Sequence, residues 1–298
     1  MTAADPQAPF PCSPQRQRLP PWLRRQLAPS GQAAATRRSV DRHGLHTVCD
    51  HASCPNRNEC YSRGTATFLI LGQHCTRNCA FCDIQPATSP LPPPAADEPQ
   101  RVAAAASELG LRHVVVTSVT RDDLADGGAG HFAATITALH SALPQATIEV
   151  LTPDFGGDHA ALATVLAAGP TVFNHNLETV ARLYPQVRPQ AIYQRSLDLL
   201  RRAAELAPQT ITKSGFMVGL GETDDEIRQL LTDLAAARVQ AVTIGQYLRP
   251  SLAHHDILRF VDDAGFARYR QWASELGIGH IEAGSFVRSS YHADKMVE

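Results

Sequence analysis

Thr67–Cys82 reads TFLILGQHCTRNCAFC. Its first five residues form an apolar run of strand length, closed by Gly72. Cys75, Cys79 and Cys82 follow in the next loop with C-x3-C-x2-C spacing. Thiolates are soft ligands, suited to an iron–sulfur cluster or to zinc. Structural zinc usually takes four ligands, and the nearby fourth donor, His74, is adjacent to Cys75 and awkwardly placed. On a four-iron cubane, three thiolates leave one iron open to an exogenous molecule.

Downstream, short apolar runs alternate with helical patterns. Strands are expected at Thr67–Leu71, His113–Thr117, Thr147–Leu151, Thr171–Asn174, Ile211–Val218 and Ala241–Tyr247. Helices are expected at about 97–109, 129–142, 158–168, 190–206, 223–237 and 263–276. Runs of Val, Ile and Thr followed by Ala/Leu-rich helices are βα units of a parallel sheet. Six units predict an α/β fold, a partial (β/α)6 TIM-type barrel with N-terminal and C-terminal extensions; a doubly wound sheet is the alternative. In a barrel the site lies on the loops after the strands, which is where the cysteine loop falls.

Upstream, TVCDHASCPNRNEC places Cys49, Cys54 and Cys60 with C-x4-C-x5-C spacing. Burial preference alone does not gather three cysteines into twelve residues. A second cluster with an unusual fourth ligand is one reading, and structural zinc using His46 or His51 is the other. Seven cysteines, six of them within 34 residues, suit metal binding or redox chemistry in a reducing compartment better than disulfides. Cys12 belongs to no motif. Residues 1–40, rich in Pro, Gln, Arg and Ala, read as an irregular arm. Residues 1–46 carry seven arginines and two acids, either a solvated arm or a docking surface for an acidic partner. The overall charge of -2 does not suggest a nucleic-acid binder. No apolar run approaches the ~20 residues of a membrane span, and no signal peptide is visible, so a cytoplasmic location is expected.

The C-x3-C-x2-C loop with Phe81 before its last cysteine resembles the signature of the radical S-adenosylmethionine (SAM) superfamily. The pairing with the first triad narrows this. PPWLRRQLAPSG, LHTVCDHASCPNRNEC, TSVTRDDLADGGAGHF, VFNHNLETVARLYPQVRP, KSGFMVGLGETDDE, TIGQYLRPS and the terminal RSSYHA resemble the lipoyl synthase family, from about Pro20 to the chain end. The resemblance implies two 4Fe-4S clusters and SAM. One cluster would sit on Cys75, Cys79 and Cys82 and cleave SAM to a 5′-deoxyadenosyl radical. The other would sit on Cys49, Cys54, Cys60 and Ser290 of the RSSY motif, and would be the sacrificial source of two sulfur atoms inserted at C6 and C8 of a protein-bound octanoyl group. Ser285 stands where a proline is expected in close relatives, which touches a turn and no ligand.

Asn174, Lys213 and Glu222 of GLGE are expected beside the cofactor; Thr117, Ser118, Arg121, Asp122 and Asp123 near SAM or substrate; and Arg288 near a carboxylate. Residues 1–60 are expected as an extension carrying the auxiliary-cluster cysteines, 61–279 as the core barrel and 280–298 as the tail. Implied partners are octanoylated lipoyl carrier domains (the 2-oxo acid dehydrogenase acyltransferase subunit and glycine cleavage H protein), an electron donor such as flavodoxin or ferredoxin, and an iron–sulfur assembly carrier. The rival readings are another radical SAM sulfur-inserting enzyme and a non-enzymatic iron–sulfur carrier.

Overall fold

A computed structural model describes residues 18–23, 31–290 and 293. Cys12, the arginines at 16, 24 and 25, and Tyr291 and His292 lie outside the described residues.

The elements begin with α1 (Gly31–Arg42), β1 (His46–Thr47), α2 (Val48–His51), α3 (Arg57–Ser62) and β2 (Thr67–Ile70). Then come α4 (Glu98–Glu108), β3 (His113–Ser118), α5 (Ala129–Ala142), β4 (Thr147–Leu151), α6 (His159–Ala167) and β5 (Val172–Asn174). The chain continues through α7 (Tyr184–Val187), α8 (Tyr193–Leu206), β6 (Ile211–Val218), α9 (Asp224–Ala236), β7 (Ala241–Gln246), α10 (Asp263–Glu275) and β8 (His280–Gly284).

The eight strands form one sheet in the order β1 to β8. β1 pairs antiparallel with β2, and every later pair is parallel. A doubly wound sheet reverses strand order at a switch point. Here the order is monotonic and β8 does not close on β1, so the sheet is an open partial barrel. β2 and β7 are buried along their whole length, as parallel strands covered on both faces must be. The helices pack on one another around the outside, α4 on α5, α5 on α6, α6 on α8 and α9 on α10. Buried apolar side chains between helices and strands form two clusters, one around β2–β4 and one around β6 and β7.

Two elements depart from the sequence reading. Residues 31–42 of the supposed irregular arm are helical, with Thr36, Ser39 and Val40 buried. Two of the three buried residues are polar, so the stripe lacks an apolar period; Thr36 Oγ1 is satisfied by the Tyr61 carbonyl at 2.9 Å. At the other end, β8 adds a seventh parallel strand, so the sheet runs past residue 279, where the core was expected to stop.

Candidate active site

The cysteine loop after β2 is fixed at every turn. It closes on itself through Cys75 N–H to the Gln85 carbonyl (3.0 Å) and Ala87 N–H to the Cys75 carbonyl (2.7 Å). Thr76 N–H donates to the Thr120 carbonyl after β3, and Ala80 N–H to the Val187 carbonyl at the end of α7. His255, beyond β7, donates its N–H to the Ala80 carbonyl, and His254 Nε2 lies 3.0 Å from the Cys82 carbonyl. Arg77 reaches Asp122 after β3 (2.8 and 2.9 Å) and Asp154 after β4 (2.5 Å). The backbone N–H groups of Arg77 and Thr120 point at Cys75 Sγ, at 3.4 and 3.3 Å.

Cys75, Cys79 and Cys82 line a cavity of about 480 Å³, a size usual for small-molecule and cofactor sites. Its walls come from the strand ends and following loops, among them Thr117 and Ser118, Thr152, His175 and Asn176, and Thr243 and Gly245. The barrel rule puts a site there. Cys49, Cys54 and Cys60 line the same cavity, as do Arg288, Ser289 and Ser290 from the tail. Two cysteine loops and the chain end thus meet in one space.

The first triad is held by its own hydrogen-bonded core. Tyr61 Oη lies 2.7 Å from Thr47 Oγ1 and 2.7 Å from Asp50, which Arg57 also reaches at 3.0 Å. Asn56 Nδ2 donates to the Phe286 carbonyl at 2.7 Å, joining this loop to the tail. Ser53 Oγ bonds Asp83, joining it to the second triad's loop. His51 bonds the Thr47 carbonyl and Gln73, and His46 bonds Gln73. Neither of them, nor His74, is among the cavity-lining residues.

The donor set fits iron–sulfur chemistry. Three thiols per loop line one cavity, and among the described residues no cysteine is in a disulfide. Among the described residues, no three His, Cys, Asp or Glu side chains gather tightly enough to hold a single ion. A cubane instead spreads its ligands over separate corners. Burial pushes the Cys49 and Cys82 thiols up to about 12 and raises Cys79 as well. Metal binding at these three must therefore displace their protons.

Three lining residues escaped the sequence reading. Arg77, nearly buried, ties the loop down. Arg188 is buried and donates to the Asn176 and Leu177 carbonyls. Glu178 is a non-glycine residue at φ +65° whose carboxylate accepts from Asn176 Nδ2 at 2.9 Å; burial, opposed by Arg188, raises its pKa. Strained backbone of this kind gathers at functional sites. Only the acid at the end of NHNLE hinted at Glu178.

Of the expected cofactor contacts, none of Asn174, Lys213 or Glu222 is among the cavity-lining residues. Glu222 accepts from Gly219 N–H and Leu220 N–H and pairs with Arg259, bracing the GLGE turn. Lys213 Nζ donates to both Glu149 oxygens, and Asn174 Nδ2 to one of them. Thr117 and Ser118 do line the cavity; Arg121, Asp122 and Asp123 do not. Arg121 anchors the loop by donating to the Leu71 and Pro92 carbonyls.

The model of the Radical SAM superfamily matches residues 69–234. The lipoyl synthase of Nitratidesulfovibrio vulgaris is 56% identical over 277 residues, covering 93% of this chain and 92% of that protein. This chain belongs to the lipoyl synthase family. The lipoyl synthase of Oleidesulfovibrio alaskensis is 52% identical over 298 residues, covering 100% of this chain and 99% of that one. That of Trichlorobacter lovleyi is 54% identical over 277 residues, 93% and 98% of the two chains. Among solved structures, HydG, a maturase of the FeFe-hydrogenase, superposes with a TM-score of 0.54 at 16% identity, covering 73% of this chain and 55% of HydG. SuiB of Streptococcus suis bound to S-adenosylmethionine gives 0.55 at 10% identity, covering 77% and 54%. This chain spans about half the length of each, and the likeness is one of fold.

As a lipoyl synthase of the radical SAM superfamily, the protein is an enzyme that uses SAM and iron–sulfur chemistry. No helix among the described residues is long and apolar enough to cross a membrane.

Proposed function

We propose that this lipoyl synthase uses two 4Fe-4S clusters in the one cavity, and that they have unequal tasks. Cys75, Cys79 and Cys82 would hold the first and Cys49, Cys54, Cys60 and Ser290 the second. The observation that carries the reading is that both triads and Ser290 line the same space. When bound, the first cluster with SAM supplies a 5′-deoxyadenosyl radical. The second is consumed as substrate, yielding the sulfur atoms for C6 and C8 of an octanoyl chain on a carrier lysine.

The chain's own residues support this division. Thr117, Ser118 and Asn176 add polar groups to the cavity wall, and Phe81, Met217 and Leu151 add apolar wall suited to an acyl chain. His175 is fixed by the Thr152 carbonyl (2.8 Å) and Ser196 Oγ (2.9 Å), and burial with the Arg188 charge lowers its pKa to about 4, so it stays neutral. Close placement matters, since ~1 Å of error costs ~100-fold in such reactions. Serine is a harder, more replaceable donor than thiolate, which suits a cluster that must be opened. The carrier partners expected are octanoylated lipoyl domains and glycine cleavage H protein. Flavodoxin or ferredoxin would supply electrons, and an assembly carrier would rebuild the second cluster. Cavity-facing thiols outside any disulfide suit the reducing cytoplasm.

Cysteine variants test the division. Cys75→Ala should abolish 5′-deoxyadenosine release, whereas Cys54→Ala should keep it and lose sulfur insertion. Loss of SAM cleavage in both to the same degree would count against two separate tasks.

A further inference from the structure

The chain has two lysines, and Lys213 is fully buried on β6. Its three N–H bonds are all used. Two go to Glu149 Oε1 and Oε2, at 2.9 and 3.0 Å, and the third to the Ser289 carbonyl at 2.7 Å. Glu149, on β4, also accepts from Asn174 on β5, and its oxygen lies 3.5 Å from His113 Nε2. A buried ion pair is a poor way to stabilise a core, because apolar residues of the same volume often do as well or better. What a hydrocarbon cannot supply is the directed third N–H, which reaches the tail.

Other contacts hold the same segment. Asn176 Nδ2 donates to Ser289 Oγ at 2.7 Å, so the backbone and side chain of Ser289 are gripped from β6 and from the loop after β5. Asn56, between the second and third cysteines of the first triad, donates to the Phe286 carbonyl. At Gly245 a Cβ would run into the Val287 carbonyl, so the tail's close approach needs that glycine; at Gly215 a Cβ would meet Thr243 Oγ1 and Asn176 Oδ1 first. Residues 286–290 are thus a strap across the barrel mouth, anchored one residue before Ser290.

We propose that Lys213, charged and aimed by Glu149, is a positioning residue that seats Ser290 toward the first cysteine triad. This inference rests on the reading of Ser290 as fourth ligand of the second cluster. Lys213 is placed to act on the ligand through the Ser289 peptide, not on SAM. Loss of a hydrogen bond to a charged group weakens the hold by about ten- to a hundredfold.

The test compares Lys213→Met, the double variant Lys213→Met/Glu149→Gln, and Ser290→Ala. The double variant removes both charges, so no buried carboxylate is left unpaired. In apoprotein, amide hydrogen exchange across residues 286–290 should speed up by about tenfold or more in the double variant, with exchange in β4–β6 unchanged. After anaerobic reconstitution, iron should fall from about eight per chain toward four, with 5′-deoxyadenosine release retained and sulfur insertion lost. Unchanged tail exchange and full iron would overturn the proposal. So would loss of SAM cleavage in the double variant, since that would put Lys213 at the cofactor instead. Loss of iron in Ser290→Ala but not in the Lys213 variants would refute the positioning role and leave the ligand reading standing. Full iron and full activity in Ser290→Ala would refute the ligand reading and the inference with it.

Discussion

Arg77→Met should loosen the second cysteine loop and destabilise the fold together. Arg77 makes two ion pairs, and burial decides between them. Asp122 is 42% exposed and contributes little. Asp154 is fully buried at 2.5 Å from an arginine that is itself 6% exposed. Burial alone would raise the Asp154 carboxyl; the Arg77 hydrogen bond and charge instead hold it down at about 2, against an ordinary 3.8. Linkage converts that depression to about 2 kcal/mol above pH 4, lost as pH falls toward 2. Removing Arg77 also strands a buried charge, which brings the expected loss to about 3–5 kcal/mol. Arg195, 3.4 Å from Asp154 and 28% exposed, is a weak substitute. Urea unfolding of the apoprotein measures the loss as a lower midpoint at constant slope. Arg77→Met/Asp154→Asn should recover most of it, because neither charge remains. A change within about 0.5 kcal/mol in the single variant, or a double variant no better than the single, would refute the reasoning.

Three further outcomes are expected. Because burial and Arg188 lower the folded pKa of His175 from 6.5 to about 4, the unfolded chain binds that proton first as pH falls. Stability should therefore drop between pH 6.5 and 4 by up to about 3 kcal/mol, and His175→Gln should flatten that slope in pH-dependent unfolding; identical slopes would contradict it. Gly245→Ala should lower stability by about 1–3 kcal/mol and free the strap, read as protease cleavage within 286–290; a tail as resistant as the parent's would count against close approach. Cluster loading should weaken as pH is lowered from 9 to 7, since Cys49 and Cys82 must lose protons held up near 12; pH-independent loading would contradict the raised Cys49 and Cys82 thiols.

The strands were legible because buried parallel strands write themselves as Val/Ile runs. HVVVTS and AVTIGQ each became a strand within a residue of its expected ends. HIEAG did not declare itself, because its burial is partial and its one isoleucine is flanked by His280 and Glu282. Helix α1 was hidden because Thr36 and Ser39 fill its buried face. In the site, cysteine spacing carried the chemistry, since thiolates are rare and clustered. The second triad's neighbours were not legible: Arg77, Glu178 and Arg188 matter through contacts between loops far apart in sequence. Lys213 shows the same limit in reverse. A lysine in an apolar strand resembling a family motif suggests a cofactor contact, yet its partners Glu149 and Ser289 are 64 and 76 residues away.

The most direct measurement is a single anaerobic turnover, using protein whose clusters are reconstituted with ³⁴S sulfide and an octanoylated carrier peptide, followed by mass spectrometry. Two heavy sulfur atoms in the peptide, with two 5′-deoxyadenosine released per product, is the result expected if the Cys49/Cys54/Cys60/Ser290 site supplies sulfur and the Cys75/Cys79/Cys82 site supplies the radical. Release of 5′-deoxyadenosine with the peptide mass unchanged, or sulfur insertion without the label, would contradict it.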